Sequence, residues 1–157
     1  MAHFAKIENG IVTAVNVVND SDIIDHNGSG HEEEVLGAAF CMKTWGGTWK
    51  QCSYNTYGGV HSSGGTPLRA NYPSIGWLYN EEYDIFHQER PTDRNGDVIN
   101  SWSLNATTGR WEPPYNSPDL TWEEMNIEKK MYLWDETIHN SDNVSGWVFY
   151  QSPYPAT

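Results

Sequence analysis

The sequence predicts a mainly β protein with one short helix, an α+β arrangement in which an N-terminal hairpin sheet is followed by repeated aromatic β-hairpins. Three observations carry this. An Asn-Gly pair separates two β-branched runs near the start, one stretch alone has helical periodicity, and the Trp-rich second half repeats large residues around short polar turns.

Phe4-Ala5-Lys6-Ile7-Glu8 and Ile11-Val12-Thr13-Ala14-Val15-Asn16-Val17-Val18 flank Asn9-Gly10. Asn-Gly supplies the two positive-φ residues of a type I′ turn, so this is a hairpin. Its second strand is apolar on both faces, which predicts a central place in a sheet. Residues 19–30, rich in Asp, Asn, Ser and Gly, read as a loop. A helix follows, with Ser29 as N-cap, Glu32 as its capping-box partner, and Val35, Leu36, Ala39 and Phe40 as the apolar stripe. Gly37 in its middle costs about 1 kcal/mol relative to Ala, so packing must hold the helix. Gly46-Gly47 ends it, and residues 48–54 alternate as a strand. Residues 55–73 are rich in Gly, Ser, Asn, Thr and Pro with few large apolar residues, a long loop of the kind that serves as a contact arm.

The second half carries an internal repeat. Trp77-Leu78-Tyr79-Asn80 aligns with Trp102-Ser103-Leu104-Asn105, 25 residues on, and a third copy begins at Tyr132-Leu133-Trp134-Asp135 with a longer insert before Gly146-Trp147. Each copy reads as a strand, an Asn or Asp, a polar turn and a return to an aromatic. Pro91, Pro113 and Pro114 mark the links, because proline cannot continue a central strand. Stacked side by side, the hairpins would share one aromatic face. The division expected is 1–73 for the hairpin, helix, strand and loop and 74–157 for the repeats. Two alternatives stay open: residues 74–88 continuing the first sheet, and one continuous domain.

Composition narrows the function. A chain of 157 residues can bury roughly 70% of its unfolded surface, and eight Trp, nine Tyr and four Phe supply much of the apolar material. Nine basic against 21 acidic side chains leave −12, which repels a phosphate backbone, so no direct nucleic-acid binding is expected. There is no apolar run of about 18 residues, and Met1-Ala2-His3-Phe4 does not open a signal peptide, so neither export nor a membrane partner is expected. Cys41 and Cys52 read as small buried hydrophobes in an unsecreted chain.

No constellation points to catalysis or a cofactor. Histidines at 3, 26, 31, 61, 87 and 139 lack the spacings that set ligands on one metal. The Gly-rich stretch around His61 has neither a Gly-Lys-Ser/Thr phosphate loop nor a Gly-x-Ser-x-Gly elbow. Glu81, Glu82 and Asp84 read as solvated turn carboxylates and not as a glycosidase pair. Trp77, Trp102, Trp111, Trp134 and Trp147 read as sheet core, with stacking platforms for sugar rings as the alternative.

Four blocks carry a resemblance: the Met-Ala-His-Phe-Ala-Lys-Ile opening with its Asn-Gly turn and Val-Val strand, Trp49-Lys50-Gln51-Cys52-Ser53-Tyr54-Asn55-Thr56, Arg69-Ala70-Asn71-Tyr72-Pro73-Ser74-Ile75-Gly76, and Tyr132-Leu133-Trp134-Asp135-Glu136. Together they resemble a family of small proteins of marine tailed phages that infect cyanobacteria and related hosts; the pattern departs after Phe86. The resemblance implies a virion or assembly protein, made in the host cytoplasm and carried on the particle exterior. The leading expectation is a capsid decoration or cement protein that binds the major capsid protein, working as an oligomer or on a lattice. A tail or fibre component that binds host glycan is the alternative, and an acidic DNA-mimic inhibitor the third. The contacts expected are Tyr57, Val60, Leu68, Arg69 and Tyr72 in the loop and Phe4 and Ile7 in the N-terminal hairpin.

Overall fold

The computed structural model describes residues 1–24 and 33–154. The chain is mainly β with a few short helices and forms two compact units, Met1–Glu89 with Asn105–Arg110, and Arg90–Leu104 with Trp111–Thr157. Residues 78–87 pair into the first sheet, the alternative left open for residues 74–88, so the first unit runs on to Glu89 and regains the chain at Asn105–Arg110. Among the described residues, no helix is long and apolar enough to cross a membrane.

In the first unit, β1 (Ala2–Glu8) and β2 (Ile11–Val18) form the expected hairpin, with φ of 52° at Asn9 and 77° at Gly10. A register shift between Lys6 and Ile7 leaves Thr13 with no residue opposite it. Helix α1 (Glu33–Trp45) ends on Gly46, whose N–H reaches the Met42 carbonyl at 2.9 Å. The cap expected from Ser29 and Glu32 lies outside the described residues. Next come β3 (Thr48–Cys52), the small hairpin β4 (Thr56–Tyr57) and β5 (Val60–His61), and the hairpin β6 (Leu78–Asn80) and β7 (Ile85–His87).

Five strands join in the order β3-β1-β2-β6-β7, and side chains alternate between two apolar layers. On one face Ala2, Phe4, Val18, Ile23 and Trp49 meet Cys41 of α1; on the other Ala5, Val12, Cys52 and Phe86 meet Tyr72, Trp77 and Tyr79. The buried stripe of α1 centres on Gly37 and Cys41, with Leu36, Ala38 and Phe40 beside them, whereas Val35 is 52% exposed and Ala39 is exposed too. The stripe is rotated from the expected one because the missing side chain at Gly37 admits the ring of Phe4. Strand β2 is central over its first residues only, since its pairing with β6 is confined to Ile11 opposite Leu78.

The second unit contains hairpin stem β8 (Ser103–Leu104) and β9 (Trp111–Glu112), helix α2 (Trp122–Asn126), and β10 (Lys130–Trp134) and β11 (Trp147–Gln151) with α3 (Glu136–Asp142) between them. Among the described residues, two α-helices are thus additional to the one expected, besides a single 3-10 turn at Asp20–Asp22 in the first unit. Both had signals in the sequence. Thr121 and Glu124 form a reciprocal capping box, and Asp135 Oδ1 accepts the Ile138 N–H at 2.9 Å as the N-cap of α3.

All three repeat copies are antiparallel hairpins, and their turns share a construction. Asn80, Asn105 and Asp135 occupy the aligned position, and each side-chain oxygen accepts the N–H three residues on, from Tyr83, Thr108 and Ile138, at 2.9–3.0 Å. A left-handed residue then returns the chain: Asp84 (φ 51°), Gly109 (φ 61°) and, after the helical insert, Asn143 (φ 58°). The copies do not join into one sheet. The first belongs to the five-stranded sheet and the other two form separate two-stranded sheets. Within the second unit, the rings of Trp102, Trp134 and Trp147 lie 5.2–5.9 Å apart as its core.

Candidate partner-binding site

The sequence leaves residues 55–73 as an arm awaiting a neighbour. In the structure they are folded within the first unit. Gly58 and Gly59 (φ 59° and 77°) make a two-residue turn between β4 and β5, where a side chain would also strike the Arg110 guanidinium or the Thr107 carbonyl. Gly59 N–H donates to the Ala70 carbonyl, Tyr72 N–H to Thr56 and Ser62 N–H to Asn55, each at 2.8 Å. The segment is therefore tied at its tip, its root and its return.

Two residues do most of the tying. Asn71 is 1% exposed; its Oδ1 accepts Gly58 N–H at 2.8 Å, and its Nδ2 donates to the carbonyls of Phe86 (2.8 Å) and Thr108 (3.1 Å). Arg69 and Ala70 both hold left-handed backbone, φ 50° and 64°, at a cost of about 1–3 kcal/mol each for residues with a Cβ. The Arg69 side chain offsets that cost. Its guanidinium donates to the Gln51 carbonyl and forms ion pairs with Glu34 and Asp84, all at 2.8 Å. Burial opposes that charge, but the two carboxylates outweigh it and raise its pKa further. Asp84 also accepts the Tyr79 hydroxyl at 2.5 Å.

This scaffold holds Tyr57 and Val60 opposite one another at the hairpin tip, 60% and 66% exposed. The Arg110 guanidinium lies 4.7 Å from the Tyr57 ring centre and fixes one of its faces. Of the other expected contacts, Leu68, Tyr72 and Ile7 are half-buried. Arg69 is spent on its internal partners, and Phe4 is fully buried under α1, so neither offers a docking surface.

At the root of the hairpin is an open cleft of about 500 Å³, lined by His3, Cys52, Tyr54, His61 and Leu68 among others. Tyr54, 71% exposed and not singled out from the sequence, stacks on His3 with ring centres 6.1 Å apart. His3 Nδ1 lies 3.2 Å from the Tyr72 hydroxyl, and burial, aided by the N-terminal ammonium, lowers its pKa. His61 Nδ1 accepts N–H groups from Ser63 and Gly65 at 3.1 Å, so Nε2 carries the ring's proton in the neutral form. Burial pushes the Cys52 thiol to about 12, so it is no nucleophile. The cleft offers aromatic faces and hydrogen-bonding groups, the chemistry of contact. Among the described residues, no group of three or more His, Cys, Asp or Glu side chains is placed to hold a metal ion.

None of the five tryptophans expected as sheet core or as sugar platforms is exposed. Trp134 is buried; Trp77, Trp102, Trp111 and Trp147 are half-buried, and the Trp111 ring is covered by the Arg90 guanidinium at 4.2 Å. The exposed tryptophans are Trp45 (44%) and Trp122 (67%), which the repeat pattern did not include. Comparison with protein-family models, with curated proteins and with solved structures finds no match to the chain.

Proposed function

We propose that this chain is an accessory structural protein on the exterior of a bacteriophage particle, a decoration or cement protein that seats on the lattice of the major capsid protein. The observation that carries the reading is the apolar hairpin tip, Tyr57 beside Val60, presented on a loop whose backbone is fixed by Asn71 and Arg69. A contact surface already held in its bound shape avoids the ordering cost that a mobile arm would meet on docking. A protein that binds the assembled shell and not its free subunits stabilises the shell by mass action, with no cofactor. The charge of −12 suits a basic protein partner and an outward face, and it disfavours contact with the packaged nucleic acid.

The test is quantitative mass spectrometry of purified virions together with binding of the recombinant chain to emptied heads. We expect hundreds of copies per head, and a Tyr57→Ser/Val60→Ser double variant that keeps its melting temperature but loses head binding. A handful of copies at the tail would move the assignment to the tail or fibre. Absence from the particle would sink the virion reading.

A further inference from the structure

The five-stranded sheet closes most of its edges with its own side chains and loops. On β3, both backbone groups of Gln51 are taken: its N–H by Glu34 Oε1 at 3.1 Å and its carbonyl by Arg69 at 2.8 Å. On β7, both groups of Phe86 are taken: its N–H by the Arg69 carbonyl at 3.0 Å and its carbonyl by Asn71 Nδ2 at 2.8 Å. Residues 69–71 thus stand in for a strand between the two edges.

Strand β2 is different. Beyond Ile11, with its neighbour Val12 bonded to Trp77 and Gly76, no backbone among the described residues pairs with its outer side. Which groups face outward follows from the ladder. Gln51 turns away from β1, so Phe4 opposite it turns toward β2, and Asn16 opposite Phe4 turns toward β1. Alternation leaves Val15 and Val17 with N–H and C=O directed away from the sheet. Val17 is 48% exposed.

This edge also lacks protection by sequence. Ala14-Val15-Asn16-Val17-Val18 has no charge and no proline, and three of its five residues are β-branched. Exposed edges are normally guarded by lysine, proline or short length, because such a run templates pairing with another chain. We infer that the open edge of β2 receives an extended apolar segment of another protein, flanked by Lys or Arg, which adds to the sheet as a further strand. The charge of −12 and the exposed Asp20 and Asp22 just past the strand select the basic flanks, and they oppose a second copy of this chain, which brings the same charge. The surface is separate from the β4–β5 tip and does not depend on the identity of the particle.

The experiment uses the full chain with isotope-labelled amides and two peptides of alternating valine and threonine, one with lysines at both ends and one with glutamates. The lysine peptide should shift the Val15 and Val17 amides saturably below about 1 mM, and the glutamate peptide should bind about tenfold more weakly or worse. Val17→Pro removes an outward N–H that pairs with no backbone among the described residues, so it should abolish binding while thermal melting stays unchanged. Val17→Lys keeps the N–H but guards the edge with a like charge, and should weaken the lysine peptide about tenfold or more. No saturable shift at Val15 and Val17, or binding that Val17→Pro leaves intact, would overturn the proposal. So would concentration-dependent dimerisation that Val17→Pro removes, which would assign the edge to a second copy.

Discussion

The edge of the Phe4 ring lies against the backbone of Gly37, so close that a methyl group at position 37 would overlap three of its carbons. Phe4 is fully buried, and the helix approaches the sheet at this point only because it has no side chain there.

Gly37→Ala should therefore destabilise the protein by about 1–3 kcal/mol through overpacking, against the gain of about 1 kcal/mol that the same change brings in an open helix. Urea unfolding of Gly37→Ala, Phe4→Leu and the double variant should give a double variant more stable than the sum of the single losses. Strict additivity would mean that the two residues do not share this space.

Asn71 serves three backbone groups from a fully buried position. Asn71→Ala leaves Gly58 N–H and two carbonyls unpaired and should cost about 2–4 kcal/mol in chemical denaturation. It should also expose residues 55–73 to limited proteolysis. Unchanged protection of that segment would show that Asn71 does not hold it.

Acid should weaken the fold through identified carboxylates. Hydrogen bonds from the Ser145 hydroxyl and from the N–H groups of Val144 and Ser145 hold Asp142 down from the ordinary 3.8 to about 2. Partial desolvation of the exposed Asp84 carboxylate opposes ionisation, but the Tyr79 hydroxyl and Arg69 outweigh it and lower its pKa. A depressed folded-state pKa contributes stability that is present above the unfolded value and lost as pH falls through the folded one. The urea midpoint should thus drop between about pH 4 and pH 2, and Asp142→Asn should flatten that drop. A midpoint independent of pH across the window would contradict the assignment.

Both thiols should be silent until the protein opens. Burial raises Cys41 to about 11 and Cys52 to about 12, and the two sit in separate apolar layers on opposite faces of the sheet. At pH 8 the native chain should resist alkylation, with labelling following the denaturant unfolding curve. Fast labelling of the native protein would place a cysteine at the surface.

Local chemistry made much of this fold readable. Asn9-Gly10 forced the first hairpin, and the aligned Asn80, Asn105 and Asp135 begin three hairpins built on one turn. What escaped was set by partners distant in the chain. Nothing near Gly37 announces Phe4, and nothing in the Ser/Gly-rich run around position 60 announces that Asn71 and Arg69 fasten it to residues 51, 86 and 108. The two further α-helices are legible locally, through the capping pair Thr121 and Glu124 and the cap Asp135, although the aromatic pattern around them is that of strands. For the proposed contact surface, composition singled out the loop, but only the folded backbone separates Tyr57 and Val60, which face out, from Phe4 and Arg69, which do not.

Arg69 joins Gln51 to Phe86, strands 35 positions apart, so this connection is formed only when late sequence reaches early sequence. A nascent chain that has left the ribosome only as far as β3 therefore carries its apolar hairpin with the Gln51 backbone still lacking Arg69. Translation must deliver Asn71 and Phe86 before the ring of contacts completes, and a pause before them leaves a sticky, half-built sheet for chaperones to shield.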